Sequence, residues 1–143
     1  MKNLTRAAFA AAAIAMFSTA AFASPTTVNV MLMGEGGSAM KIEVDKTSIP
    51  GGDVVFNVAN HAMTEAHEMI LVKLKSAGQH IPLDMKKHRV DEKQIKALGE
   101  VADLQPAGTG SLKANLQPGA YLILCNIKGH YEAGMWTKLT VSN

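Results

Sequence analysis

Cys125, His130 and Met135 follow one another at intervals of five residues in the stretch Cys125-Asn-Ile-Lys-Gly-His-Tyr-Glu-Ala-Gly-Met135, and Cys125 is the only cysteine of the chain. A thiolate, an imidazole and a thioether within eleven positions are soft or borderline donors, the set that suits copper in an electron-transfer site. Tyr121-Leu-Ile-Leu leads into the stretch and Trp136-Thr-Lys-Leu-Thr-Val leaves it. Both runs read as strands, so the donors are expected on a tight loop between two buried strands.

Three donors on one loop need a ligand from elsewhere to lock a fold around a metal. His67 is the best-placed candidate. It follows the polar loop Asn60-His-Ala-Met-Thr-Glu-Ala and begins the apolar run Met69-Ile-Leu-Val. His67, Cys125 and His130 would then form a near-trigonal plane with Met135 as a weak axial donor. Such a mixed set suits both copper oxidation states with little rearrangement.

The first residues are read as a removable segment. Lys2 and Arg6 form a positive start, Ala7 to Phe17 a short apolar run, and Ala21-Phe-Ala23 a small-x-small cleavage site. This is the pattern of a secretory signal peptide over 1–23, too short to span a membrane. Residues 24–143 are then one domain, exported to the periplasm. Of the 14 Lys and Arg residues, losing Lys2 and Arg6 leaves 12, which balances the 12 Asp and Glu. A neutral domain of this kind has no basic face for nucleic acid or for a charged membrane surface, and no other segment is long enough to span a bilayer. Exported domains often pair their cysteines, and a single thiol cannot. It is therefore reactive, ligating or an inert buried side chain.

The elements that must position the donors read as short strands. Thr26–Met33, Met40–Val44, Val54–Asn60, Met69–Leu74, Leu112–Leu116, Tyr121–Cys125 and Trp136–Val141 alternate or run apolar between Gly- and Pro-containing turns. The run at Met69 is apolar on both faces and reads as a central strand. Residues 75–90 read as polar and irregular. Asp91 with Gln94 resembles an N-cap with its partner, followed by Ile95, Leu98 and Gly99, which predicts one short helical insert over 91–99. Seven to eight short strands with one helical insert make an all-β, Greek-key β-sandwich.

These motifs together carry a resemblance. An Asn…His-Glu segment before a central strand, followed by Pro118-Gly-Ala-Tyr121 and Cys-x4-His-x4-Met, resembles a cupredoxin. The spacing is similar to that of rusticyanins, sulfocyanins and auracyanins, and longer between Cys and His than in plastocyanins. The wording of the loop is also similar to small periplasmic cupredoxin-like copper proteins, some linked to copper tolerance. The resemblance covers the domain and is strongest from Pro118 to Val141. It implies a type 1 blue copper site on His67, Cys125, His130 and Met135, holding one Cu(I)/Cu(II) ion. It also implies a monomer that exchanges electrons with a periplasmic partner such as a cytochrome or oxidoreductase. Lys128 stands where several relatives carry proline, which leaves the loop less rigid and more positive.

The remaining polar residues admit two readings each. Asn126, Glu68 and Asn60 either bridge the two ligand loops or serve as ordinary turn and strand residues. Glu68 as a ligand would make a carboxylate-bound red-copper variant, which requires Met135 to be off the metal. His61, His80 and His88 read as surface histidines. Met31, Met33, Met40, Met63, Met69 and Met85 read as gap-filling core residues, with a Met63–His61 copper-loading patch as the rival. Met63, Ile127, Ala133 and Trp136 could form an apolar docking rim. Besides an electron carrier, the donors fit a copper-tolerance or delivery protein, or an enzyme with Cys125 as nucleophile and His130 or His67 as base. No oxyanion-hole or substrate signature accompanies that pair, so the chain is read as a non-enzyme.

Overall fold

The computed structural model describes residues 24–143, so the predicted signal peptide at 1–23 lies outside the described residues. Among the described residues eleven strands form, and nine of them build two facing sheets. The first sheet has the order β2 (Lys41–Val44), β1 (Thr26–Met33), β4 (Gly52–Asn60), β9 (Thr109–Leu116). The second has the order β3 (Ser48–Pro50), β11 (Trp136–Ser142), β10 (Gly119–Leu124), β5 (His67–Lys73), β8 (Lys96–Leu104). β1 pairs with β4 in parallel and β11 with β3 in parallel, while the other pairs are antiparallel. Among the described residues no helix is long and apolar enough to cross a membrane.

Two-residue periodicity decides which side chains meet between the sheets. Val28, Val30 and Leu32 of β1 face Val54, Phe56 and Val58 of β4 on the inner side of their sheet, and Thr27, Asn29, Asp53 and Asn57 stay exposed. Met69 and Leu71 of β5 enter the same core as Tyr121 and Ile123 of β10. Continuing those phases places His67 and Cys125 on the inner side as well, at one end of the sandwich. Two antiparallel neighbours thus deliver an imidazole and a thiol to the same place.

The double-sided apolar run at Met69 is explained by a second cluster on the outer face of this sheet. Ile70, Val72, Leu122 and Leu124 are covered there by Leu74, Ile81 and Val90, with Leu83, Ile95 and Tyr131 packed against them. The cover is the excursion between β5 and β8, which contains the short hairpin β6 (Leu83–Asp84) and β7 (Arg89–Val90).

Two expectations are corrected. The helical insert over 91–99 is a single 3-10 turn at Glu92–Gln94, followed directly by β8. The Asp91 cap does form, with its side chain accepting from Lys93 N and from Gln94 Nε2. Ile95 is already extended at φ −114°, and the chain from Lys96 pairs with the edge of β5. An edge strand exposes most of its residues, so β8 has no apolar alternation to mark it. The count of eleven strands exceeds seven to eight because β3, β6 and β7 are two or three residues long and β8 read as helix.

Candidate metal centre

Three donor atoms converge at the end of the core. His67, Cys125 and His130 bring ligating atoms that all lie within 4.8 Å of one another. His130 Nδ1 is 3.3 Å from His67 Nδ1 and 3.4 Å from Cys125 Sγ. His67 and Cys125 are fully buried, and His130 keeps 7% of its surface exposed. Among the described residues no buried side-chain nitrogen or oxygen is left without a partner.

The loop from Cys125 to Met135 is closed by its own backbone. Met135 N donates to His130 O (3.0 Å), His130 N to Ile127 O (2.9 Å) and Cys125 N to Met135 O (3.1 Å). Gly129 and Gly134 supply the two left-handed residues that the loop needs, at φ +84° and +96°. Met135 is fully buried in the inter-sheet core beside Cys125. The five-residue spacings therefore correspond to one compact turn that returns Met135 to the thiol.

His67 is held from behind. Its Nε2 lies 3.1 Å from Gly34 O, in the turn after β1. A carbonyl only accepts, so Nε2 carries a proton and Nδ1, which lies 3.3 Å from His130 Nδ1, is the nitrogen turned into the site and available to a metal. Gly34 has φ +128°, and a Cβ there would lie 2.6 Å from Met40 Sδ and 2.9 Å from Met40 Cα. Only glycine brings that carbonyl to the ring. The neighbouring Glu35 accepts from Met63 N and from Thr64 N and Oγ1, and these bonds, the Thr64 hydroxyl first, hold its carboxyl below the usual range. They tie the β1 turn to the loop preceding His67. Neither Gly34 nor Glu35 was singled out from sequence, because a backbone carbonyl has no residue signature.

Burial sets the protonation of the centre. It pushes the Cys125 thiol up to about 11, against the Ile127 N–H that favours the thiolate. Burial, and then the neighbouring His67, lower His130. A buried thiol beside the His130 imidazole, whose charged form burial disfavours, fits a cation that can displace the thiol proton.

The bridging residues divide their roles. Glu68 Oε1 accepts from Asn126 N at 2.9 Å, which joins the strand carrying His67 to the loop carrying Cys125. Burial raises the Glu68 carboxyl. Asn60 does not bridge the ligand loops. It folds its own loop and ties it to the end of β8, donating to Glu65 O and Leu104 O and accepting from Ala62 N. His61 and His80 are exposed, and His88 pairs with Glu132 at 3.0 Å. Met63 and Met85 are surface residues, 84% and 63% exposed, rather than core. Among the described residues His61 joins no cluster of three or more His, Cys, Asp or Glu donors.

Comparison with known proteins places this geometry. Residues 13–143 match the family described as the sulfocyanin (SoxE) domain. The fold is similar to dithionite-reduced auracyanin from Roseiflexus castenholzii, at 22% identity and TM-score 0.58 over 85% of this chain and 99% of that one. It is similar to auracyanin A, a "blue" copper protein of Chloroflexus aurantiacus, at 22% identity and TM-score 0.57 over 83% and 100%. Rusticyanin from Thiobacillus ferrooxidans follows at 22% identity and TM-score 0.54 over 83% and 79%. Among curated proteins none matches the chain.

Proposed function

This chain belongs to the sulfocyanin (SoxE) domain family of cupredoxins, and from that premise we propose that it is a periplasmic one-electron carrier in which His67, Cys125 and His130 would hold one copper ion, with Met135 as a weaker fourth donor. The observation that carries the reading is the convergence of two imidazole nitrogens and one thiol sulfur within 4.8 Å, sealed at the end of a rigid sandwich. Bound copper supplies the one-electron couple. The chain's own residues do the rest. Gly34 O fixes the His67 ring, the closed loop fixes Cys125 and Met135, and the sandwich excludes water, so the donor positions are set before the ion arrives.

The slightly exposed edge of His130 is the route by which electrons leave. Exposed Met63, Trp136 and Ala133 with half-buried Ile127 are the apolar side chains offered to a partner such as a cytochrome, and Trp136 stacks on Tyr131 with ring centroids 6.2 Å apart beside the outer-face groove of Leu74, Ile81 and Leu122. Residues 1–23 act as the export signal, and 24–143 form the monomeric domain. Enzymatic use of Cys125 is disfavoured by a thiol pushed to about 11, since the thiolate is the nucleophile. A copper-delivery role is disfavoured by donors that are buried rather than presented for exchange.

The test is titration of the full exported chain with Cu(II), followed by visible and spin-resonance spectra and stopped-flow mixing with a reduced c-type cytochrome. One ion per chain with an intense thiolate-to-copper band and rapid oxidation of the cytochrome are expected. A colourless complex, or a coloured one that no cytochrome reduces or oxidises, overturns the reading.

A further inference from the structure

The limb of the ligand loop between Cys125 and His130 makes few bonds of its own, and its outward-facing amides are satisfied from outside. Asn126 N donates to Glu68 Oε1, and Gly129 N donates to His88 O at 2.8 Å. His88 belongs to the excursion that covers the outer face of the second sheet, and it adopts a left-handed φ of 53°. A non-glycine residue holds that conformation only where its surroundings over-determine it, and here it aims the carbonyl at the ligand loop. The imidazole of His88 grips the same loop a second time through Glu132, at 3.0 Å.

Asn126 makes the tighter connection. Its side chain is 2% exposed and pairs with Val90 as a strand backbone would. Oδ1 accepts from Val90 N at 2.6 Å and Nδ2 donates to Val90 O at 3.1 Å. Nδ2 also donates to Glu92 Oε1 at 2.7 Å. Val90 is itself buried among Ile70, Leu124 and Ile81, so the far end of this connection is anchored in the second core cluster. The residue directly after the thiol therefore sits at a three-way junction of strand β5, ligand loop and excursion. An ordinary turn cap would serve only its own turn.

We infer that the segment from Leu83 to Gln94 is a strap that holds the ligand loop in its metal-binding shape, acting through Asn126 as a positioning residue. The strap sets the separation of Cys125 and His130 from outside the donor set, so that separation stays the same whichever charge the ion carries. This rests on the copper reading above, because its consequence is read on the bound ion. It also predicts an order in the metal-free protein that does not depend on that reading.

The experiment pairs two measurements on the full exported chain. Hydrogen exchange of the copper-free protein should show the amides of Val90 and Gly129 protected together with that of Cys125. Rapid exchange at Val90 and Gly129 while Cys125 stays protected overturns the strap, even if copper binds as expected. In the copper-loaded protein, Asn126→Ala should still take one ion but shift the thiolate band and slow electron self-exchange about tenfold or more, whereas His80→Ala, at an exposed position outside these bonds, should change self-exchange less than threefold. An Asn126→Ala protein with lowered melting temperature but unchanged band and self-exchange makes Asn126 merely structural and overturns the inference. If Asn126→Ala fails to fold, the exchange pattern of the unaltered chain decides. A wild-type chain that takes no copper refutes the copper reading, and the exchange pattern still decides the strap.

Discussion

His67 and His130 turn the same nitrogen toward the same thiol from opposite kinds of scaffold. His67 begins a central strand, is fully buried, and has its second nitrogen committed to Gly34 O. His130 rides on a loop, keeps an exposed edge, and is placed through its backbone by Ile127 and Met135. The strand histidine is fixed by tertiary contacts on every side and can define the site. The loop histidine touches both the thiol and the solvent, and can connect the site to a partner. One imidazole gives rigidity and the other gives access, and an electron carrier needs both.

The most severe way to break the comparison is to remove what both rings face. Cys125→Ser should abolish the visible thiolate band and weaken copper binding by more than about 100-fold, beyond the loss expected from an outer hydrogen-bond partner. The fold should persist, with thermal unfolding read by circular dichroism still cooperative, because serine replaces a single atom of a core side chain. Retained colour would show that the thiol is no ligand.

Truncating each ring in turn separates the two roles. His130→Gly opens a gap at the solvent edge, and free imidazole at millimolar concentration should restore its colour. His67→Gly opens a cavity sealed inside the sandwich, and the same imidazole should restore little. Equal rescue of both, followed by visible titration, would mean that the burial difference has no functional weight.

Gly34→Ala attacks the fixed ring from behind without touching a donor. The added Cβ meets Met40 at a left-handed φ, so the turn must shift and take its carbonyl away from His67. Copper affinity should fall by about 10–100-fold and stability by about 1–3 kcal/mol, measured by competition titration and by urea unfolding. His130 has no such partner on the β1 turn, so the loss should appear in His67 ring signals first.

Met135→Leu should have the smallest effect. The loop closure through Met135 N and O survives, because those bonds are backbone. Copper should remain bound, and the reduction potential should rise, about 59 mV for each tenfold by which Cu(II) is weakened more than Cu(I). Loss of the ion in voltammetry would make the thioether a stronger donor than an axial position implies.

Much of the site was legible because it is local. Cys125, His130 and Met135 lie on one short loop whose glycines and flanking strands mark its ends, so their meeting needs no long-range information. That His67 lies beside Cys125 and His130 was readable from its position at the start of an apolar run. The two-sided run at Met69 correctly pointed to a strand covered on both faces. What covers it was not legible. Residues 75–95 carry no sustained period, and the Asp91 cap suggested a helix where only three residues turn. The weak strand β8 is an edge, held by pairing with β5 rather than by its own pattern.

From the amino-acid sequence alone came the donor chemistry, the loop that carries three of the donors, and the alternating strands of a sandwich. Those depend on residue type and near-neighbour spacing, which a chain carries wherever it folds. The tertiary structure alone decided that Gly34 O holds His67, that Glu35 ties two loops together, and that Asn126 pairs with Val90. Each of these joins segments far apart in the chain through a backbone group or a single hydrogen bond. Such contacts leave no pattern in the residues on either side, because any residue offers the same amide and carbonyl until packing brings one of them to the site.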